Sequence, residues 1–360
     1  MSIELKNISK KVKGHLHIKE TSLTFEPGYF NVLLGETGAG KTSLIKLIAG
    51  LDGCSTGQIL MDGEDVTALS PQKRNISLVH QFFVNYPHMK VFDNIASPLR
   101  VAKMPKSEVE GRVEEAADLL QLRPMLDRYP HELSGGQQQR TALARAIAKE
   151  SRAIFLDEPL ANLDYKLREE LRAQLPELFS GRGTVVIYAT SEPEEALLLG
   201  GKTGLMSDGI VTQFGATADI YRNPVNLTAA EVFSDPPINT ARIEKKGSEA
   251  VMAGGVSMTL SHAAKELDDG AYILGIRPND VLPAKNKATD IEIIGNIRVT
   301  ELSGSQSSAH FSFADENWVS LAHGVHPFDI GENHAFYINI AKCFFFSVDG
   351  QLVAQGVNNG

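Results

Sequence analysis

Cysteine is nearly missing from this chain: 360 residues hold two, Cys54 and Cys343, far apart in sequence. They form no disulfide framework and suggest a reducing compartment, each serving as a small buried or half-buried apolar side chain. No stretch approaches the ~18 consecutive apolar residues of a membrane-spanning helix, so any membrane connection must run through a partner. Met1-Ser2-Ile3-Glu4-Leu5-Lys6 has no apolar h-region, and no signal peptide is expected. An excess of positive charge is missing too. Lys and Arg number 35 against 44 Asp and Glu, giving a net charge of −9. That argues against a nucleic-acid partner, which calls for a basic face. No repeats or low-complexity tracts stand out. What is left is the composition of a soluble globular protein, long enough for two domains.

Against that plain background one stretch stands out. Gly35-Glu36-Thr37-Gly38-Ala39-Gly40-Lys41-Thr42 fits G-x-x-x-x-G-K-[ST], the phosphate loop of P-loop NTPases. The mostly apolar run Tyr29-Phe30-Asn31-Val32-Leu33-Leu34 precedes it and suits a buried parallel strand. Thr42 to Ala49 reads as a helix closed by Gly50. Strand, loop and helix start therefore come in the order the motif needs. The glycines let successive N–H groups turn inward onto a phosphate chain, and the helix N-terminus adds partial positive charge. Lys41 is expected to reach the β- and γ-phosphates and the Thr42 hydroxyl to ligate Mg²⁺, with Ser43 completing the nucleotide-binding set.

A phosphate loop alone leaves kinases, GTPases and many ATPases open. Two further motifs narrow the choice. Ala153-Ile154-Phe155-Leu156-Asp157 is a buried strand ending in a carboxylate, as a Walker B strand does. Asp157 is expected to hold Mg²⁺ through a bound water, and Glu158 to orient and polarise the attacking water. Leu133-Ser134-Gly135-Gly136-Gln137 places a serine and two glycines at a second helix start, another anion-binding nest. Two phosphate-binding helix starts in one domain are redundant unless they serve different nucleotides. This implies a head-to-tail dimer, each chain's nest closing on the other chain's ATP.

The rest of the chain supplies the frame. Ile3 with Leu5, and Leu23 with Phe25, are spaced as in strands. Asp62-Gly63 is a plausible hairpin turn. Ile76-Ser77-Leu78-Val79 reads as a strand ending at His80-Gln81. Ser107-Glu108-Val109-Glu110 reads as a capping box with Ser107 at the N-cap, before a helix through Leu120. Pro124 and Pro130 interrupt the chain beyond that helix. Leu167 to Leu175 reads as helical, with Pro176 as its break or kink. Val185-Val186-Ile187-Tyr188 is one more strand. Alternating strands and helices imply a largely parallel sheet. Near Asp235-Pro236-Pro237 the pattern changes to short β-type runs, from Ala271-Tyr272-Ile273-Leu274 to Cys343-Phe344-Phe345-Phe346. They predict a small all-β barrel of the OB type. The expected division is residues 1–235 and 236–360, with a helical subdomain at about 88–150.

With these landmarks in order, residues 1 to about 235 resemble the ATP-binding subunit of an ABC transporter. The resemblance implies an α/β P-loop ATPase using ATP and Mg²⁺. Gln81 falls at the Q-loop position, where the family's glutamine touches Mg²⁺ and senses the membrane subunit. Leu160-Ala161-Asn162-Leu163-Asp164 resembles the D-loop, in which Asn162 and Asp164 cross the dimer interface. The aromatic loop Phe82-Phe83-Val84-Asn85-Tyr86-Pro87 would sit beside a cleft that receives a coupling helix from the permease, although Phe82 and Phe83 packing on the helical insert is an equal reading. Leu274-Gly275-Ile276-Arg277-Pro278 resembles the OB-like (TOBE-type) accessory domain of carbohydrate-importer ATPases. The implied partners are a second ATPase subunit, two transmembrane permease subunits and, indirectly, a periplasmic or surface solute-binding protein. The implied place is the cytoplasmic face of the inner or plasma membrane, held there through the permeases.

Two positions depart from the family. Aligned on Tyr188 and Glu195-Ala196, the switch histidine is replaced by Ser191, which is short and carries no charge. Losing such a contact is worth roughly 2–4 kcal/mol of barrier. The adenine platform, usually aromatic, is Val12 with His15 close by, giving up about 0.5–1.5 kcal/mol of stacking. Either this chain pairs with a different ATPase chain that keeps the histidine, leaving one weakened site, or it forms a slow homodimer using Glu158 alone. The first is preferred, because Glu158 and the signature are kept while the switch is lost. Thr190-Ser191-Glu192-Pro193 with Asp164-Tyr165-Lys166-Leu167-Arg168-Glu169 resembles importers of glycerol and related polyols, which carry two dissimilar ATPase subunits. The alternatives are a soluble ABC ATPase outside transport, or a mainly regulatory subunit of low turnover.

Overall fold

The computed structural model describes residues 1–82, 84–161, 163–179 and 183–356. The alternating residues near the N-terminus pair with one another. β1 (Ile3–Val12) and β2 (His15–Phe25) run antiparallel, with Ile3 opposite Phe25 and Leu5 opposite Leu23. After β3 (Phe30–Leu34) and α1 (Lys41–Ala49), β4 (Thr56–Met61) and β5 (Glu64–Asp65) complete a sheet of order β2-β1-β4-β5. At the β4–β5 turn Asp62 and Gly63 take φ of 52° and 80°, as a type I′ hairpin turn requires.

The next elements are α2 (Pro71–Arg74), β6 (Ile76–Val79), α3 (Val91–Val101), α4 (Lys106–Leu119), α5 (Gly135–Ala148) and β7 (Ala153–Asp157). They are followed by α6 (Tyr165–Phe179), β8 (Val185–Thr190), α7 (Pro193–Leu199), β9 (Lys202–Ser207) and β10 (Ile210–Ala216). The second sheet has the order β10-β9-β3-β8-β7-β6. All its pairings are parallel except that of the edge strand β10. Every residue of β3, β7 and β8 is buried, so these strands read as continuous rather than alternating apolar runs. α1 packs against β7 and β8, α5 against β6, and α7 against β3. The insert α3, α4 and α5 packs on itself.

Two local expectations are corrected. α4 begins at Lys106 with Pro105 as N-cap and no side-chain cap. Ser107 lies inside the first turn, because the Pro105 carbonyl already accepts from the N–H groups of Glu108 and Val109. The helix α6 runs through Pro176 to Phe179. Proline forfeits one helical hydrogen bond, but two of the three residues beyond it anchor the turn. Leu178 and Phe179 are buried, and the Phe179 ring meets Phe30 edge-on with centroids 5.9 Å apart.

The described chain separates into two compact units, Met1–Ile220 and Tyr221–Gly360; α8 (Thr217–Arg222) crosses the division and α9 (Leu227–Val232) lies beyond it. Apart from three short 3-10 turns, the rest of the regular structure in the second unit is β. One sheet joins β11 (Asn239–Lys246), β12 (Glu249–Met252), β13 (Val256–Thr259), β14 (Gly270–Ile276), β20 (Phe344–Phe346) and β21 (Leu352–Gln355). The other joins β15 (Val281–Leu282), β16 (Ile291–Leu302), β17 (Gln306–Phe313), β18 (Glu316–His323) and β19 (Asn333–Ile338). Their shared core centres on Trp318, fully buried with its Nε1 donating to the Thr240 carbonyl at 2.9 Å. Beside it Phe311 and Phe336 stack with centroids 4.0 Å apart. These sheets form the expected OB-like accessory unit. Cys343 is buried and Cys54 half-buried, and both are free.

Candidate nucleotide site

The site gathers where β3, β7 and β8 end side by side. Leu34 pairs with Thr190 and Asp157 with Ala189, so the loops leaving these strands share one edge. Gly35 leaves β3 with its N–H donating to the Thr190 carbonyl at 3.3 Å. A β-carbon on Gly35 would lie 2.3 Å from the Met206 carbonyl oxygen, so only glycine fits there. Gly38 and Gly40 take φ of 90° and 104°, the left-handed region that glycine enters without strain. Between them the loop curls, and Glu36, Thr37 and Gly38 are exposed while Ala39 is buried.

Lys41, 4% exposed, folds back over this loop. Its Nζ donates to the carbonyls of Gly35 at 2.7 Å and Glu36 at 3.1 Å, and lies 3.2 Å from Glu158 Oε1. The ammonium is thereby held in the concavity of the loop. The Thr42 hydroxyl donates to Asp157 Oδ1 at 2.8 Å across 115 residues of sequence. Burial pushes the Asp157 carboxyl up, and the neighbouring Glu158 adds to this, against the Thr42 hydrogen bond, His80 and Lys41. Such a desolvated carboxylate gains from a nearby cation. Glu158 itself stands at φ 46°, an uncommon conformation for a residue with a β-carbon, with its N–H bonded to the Ala189 carbonyl at 3.0 Å.

Some contacts around the loop had no signal in the linear sequence. His17 Nε2 meets Ser43 Oγ at 2.8 Å. Arg74, 1% exposed, donates to the carbonyls of Leu47, Ile48, Thr67 and Leu69 at 2.7–2.9 Å. It thus ties the last turn of α1 to Thr67 and Leu69. A basic residue shortly after Ser70-Pro71 looks like ordinary surface until the fold is known.

The remaining expected residues occupy separate positions. Gln81 is half-buried just beyond β6, the strand beside β7. Val12, 45% exposed, ends β1 opposite His15. Ser134 caps α5 in a reciprocal box: its Oγ accepts from the Gln137 N–H at 3.4 Å, and Gln137 Oε1 accepts from the Ser134 N–H at 3.0 Å. Leu133 and Gly136 are buried, whereas Ser134 and Gly135 face outward. In the D-loop stretch Asp164 Oδ1 accepts from the Leu167 N–H at 3.0 Å and so starts α6, while Asn162 lies outside the described residues. Ser191 is exposed after β8. Of the aromatic loop, Phe83 lies outside the described residues. Phe82 is 75% exposed rather than packed on the insert. Tyr86 lies under the Arg145 guanidinium, 5.2 Å from its ring centroid, and lines a cleft of about 530 Å³ with Pro98, Val101, Ala142 and Arg145.

In the second unit Arg277, from the Leu274–Pro278 stretch, donates to the carbonyls of Phe233 at 2.9 Å and Tyr221 at 2.7 Å. Its guanidinium lies 3.8 Å from the Tyr221 ring centroid. It serves as an internal tie of that unit.

Comparison with known proteins agrees with this geometry. Residues 18–161 match the model of the ABC transporter family. The sn-glycerol-3-phosphate import ATP-binding protein UgpC of Pectobacterium atrosepticum is 36% identical over 88% of this chain and 89% of its own length. The putative uncharacterized ABC transporter ATP-binding protein YcjV of Escherichia coli K12 is 33% identical over 98% of this chain and 99% of its own. Among solved structures, the ATP-binding cassette MJ0796, a dimer in a post-hydrolysis state bound to ADP and Pi, superposes with a TM-score of 0.54 at 27% identity. It covers 60% of this chain and 98% of its own.

Proposed function

The chain belongs to the ABC transporter family of ATP-hydrolysing cassettes, and on that premise we propose that it powers uptake of a small solute as one half of an ATPase dimer. The observation that carries this reading is the ion pair of Lys41 with Glu158 at 3.2 Å, beside the Thr42–Asp157 hydrogen bond. Phosphate-binding cation, attacking-water residue and metal-binding oxygens meet at one sheet edge. On this reading residues 1–235 act as the nucleotide-binding domain, with the helical subdomain near 88–150, and 236–360 as its accessory domain.

Nucleotide is held by the loop Gly35 to Ser43, with Lys41 moving from Glu158 to the β- and γ-phosphates when they arrive. Glu158 is then free to orient water. Val12 packs on adenine. The donors at Thr42, Gln81 and Asp157 are oxygens, which suit Mg²⁺, and the raised Asp157 carboxyl gains from that cation. Held there, such an ion would neutralise phosphate charge; Thr42, Gln81 and Asp157 are the residues that would position it. Leu133, Ser134, Gly135, Gly136 and Gln137 serve the ATP of the neighbouring subunit, with Asn162 and Asp164 at the same interface. ATP favours the closed pair through contacts made only there.

The neighbour is a second, different ATPase chain that keeps its switch histidine, since Ser191 here cannot supply one. Two permease subunits receive the motion at the cleft beside Tyr86, and a solute-binding protein delivers cargo to them. The subunit therefore sits peripherally on the cytoplasmic face of the membrane, away from nucleic acid; none of the described helices is long and apolar enough to cross it. The solute is a small polyol or carbohydrate, glycerol-like, a class supported by the relative named for sn-glycerol-3-phosphate import. The test is co-purification in detergent and uptake into vesicles. The expected result is recovery with integral membrane proteins, and ATP-driven uptake abolished by Lys41→Ala. Undiminished uptake, or no membrane companion, overturns the reading.

A further inference from the structure

Outside the nucleotide cradle, one cluster of charge, with Arg172 and Glu195 buried at its centre, lies between α6 and the segment just after β8. Arg172 on α6 is 6% exposed. Its guanidinium lies 2.9 Å from Glu169, 3.3 Å from Glu192, 3.8 Å from Glu194 and 3.9 Å from Glu195. Arg168, one turn earlier, meets Glu192 at 2.7 Å and donates to the Ala161 carbonyl at 3.5 Å. Glu195 also accepts from the Tyr188 hydroxyl at 2.8 Å. Two arginines thus hold four carboxylates, and three of those carboxylates lie just after Ser191. Without Arg172 these like charges would repel in a partly desolvated place.

The first turn of α6, beside Arg168, reaches the second phosphate-binding helix start. A β-carbon on Gly136 would lie 1.8 Å from Leu167 Cδ2, so Leu167 fills the space that glycine leaves open. One helix therefore touches Gly136 through Leu167, the D-loop carbonyl of Ala161 through Arg168, and the switch segment through Arg168 and Arg172. We propose that Arg172 is a positioning residue for hydrolysis: it fixes Glu192, and with it Ser191, so that α6 links this chain's own switch to the nest that serves its neighbour's ATP. The inference rests on the proposed site and adds to it a route between the two sites.

A rigid link of this kind affects turnover and leaves ground-state binding alone. The test uses the purified full-length chain, with ATP affinity from fluorescent-nucleotide titration and hydrolysis from single turnovers. Arg172→Met is expected to slow hydrolysis about tenfold with affinity within twofold. Arg172→Lys restores part of the rate. Glu192→Gln, at a half-exposed position, reproduces the defect and serves where Arg172→Met does not fold. The double variant is expected to be no slower than the slower single. Unchanged hydrolysis in a folded variant, affinity falling in step with rate, or fully additive losses would overturn the proposal. If Lys41→Ala keeps its ATP affinity, the site reading fails and this inference falls with it. If Lys41→Ala loses ATP while Arg172→Met turns over normally, this inference alone fails.

Discussion

The phosphate loop and the switch segment leave neighbouring strands of one sheet, joined by the Gly35 N–H to the Thr190 carbonyl at 3.3 Å, yet they differ in what they retain. The loop has the geometry expected of a phosphate cradle: the left-handed glycines, the buried Lys41 and the Thr42–Asp157 bond. The switch keeps its scaffold, with Tyr188 bonded to Glu195 and Glu192 held by two arginines, but carries a serine at its tip. On the proposed reading, holding nucleotide and cleaving it are separable tasks here. On that reading, a chain that binds ATP and completes a neighbour's site can give up part of its own hydrolytic machinery.

That contrast can be broken or sharpened by substitution. Glu158→Gln removes the residue that would orient water, and turnover is expected to fall by about 10²–10⁴-fold while nucleotide titration shows binding kept. Loss of binding instead would make Glu158 part of the cradle. Lys41→Ala removes the proposed charged donor to phosphate, worth about 2–3 kcal/mol; ATP affinity is expected to drop about 30- to 150-fold. Ser191→His restores an imidazole at the switch and is expected to speed hydrolysis by roughly 30-fold, about 2 kcal/mol of barrier, with affinity unchanged. No gain would mean that the serine is not what limits the switch. Val12→Tyr offers adenine a ring and is expected to tighten ATP by about 0.5–1.5 kcal/mol, read in the same titration.

What was legible in the sequence was whatever is local. The strand–loop–helix order around Gly35 to Thr42, the alternation in β1 and β2, and the Asp62-Gly63 turn each depend on contiguous residues, and the folded chain obeys them. The β-rich second unit was legible from its short runs and recurrent turns. Helix boundaries were less so. Pro105, not Ser107, starts α4, and α6 survives Pro176 because Phe179 finds Phe30, a tertiary gain that outweighs a local preference. The least legible features join distant segments. Arg74 closing α1, His17 against Ser43, and Arg172 gathering Glu192 and Glu195 look like scattered polar residues until the chain is folded. Their partners are set by topology rather than spacing.

The central claim, an intact cradle beside a weakened switch, is tested most directly by the Mg²⁺-dependent ATP turnover of the purified chain alone, measured beside its Ser191→His variant at matched nucleotide occupancy. The account predicts tight nucleotide binding with slow turnover in the parent and a clear rise in the variant. Brisk turnover by the parent, unmoved by the substitution, would contradict it.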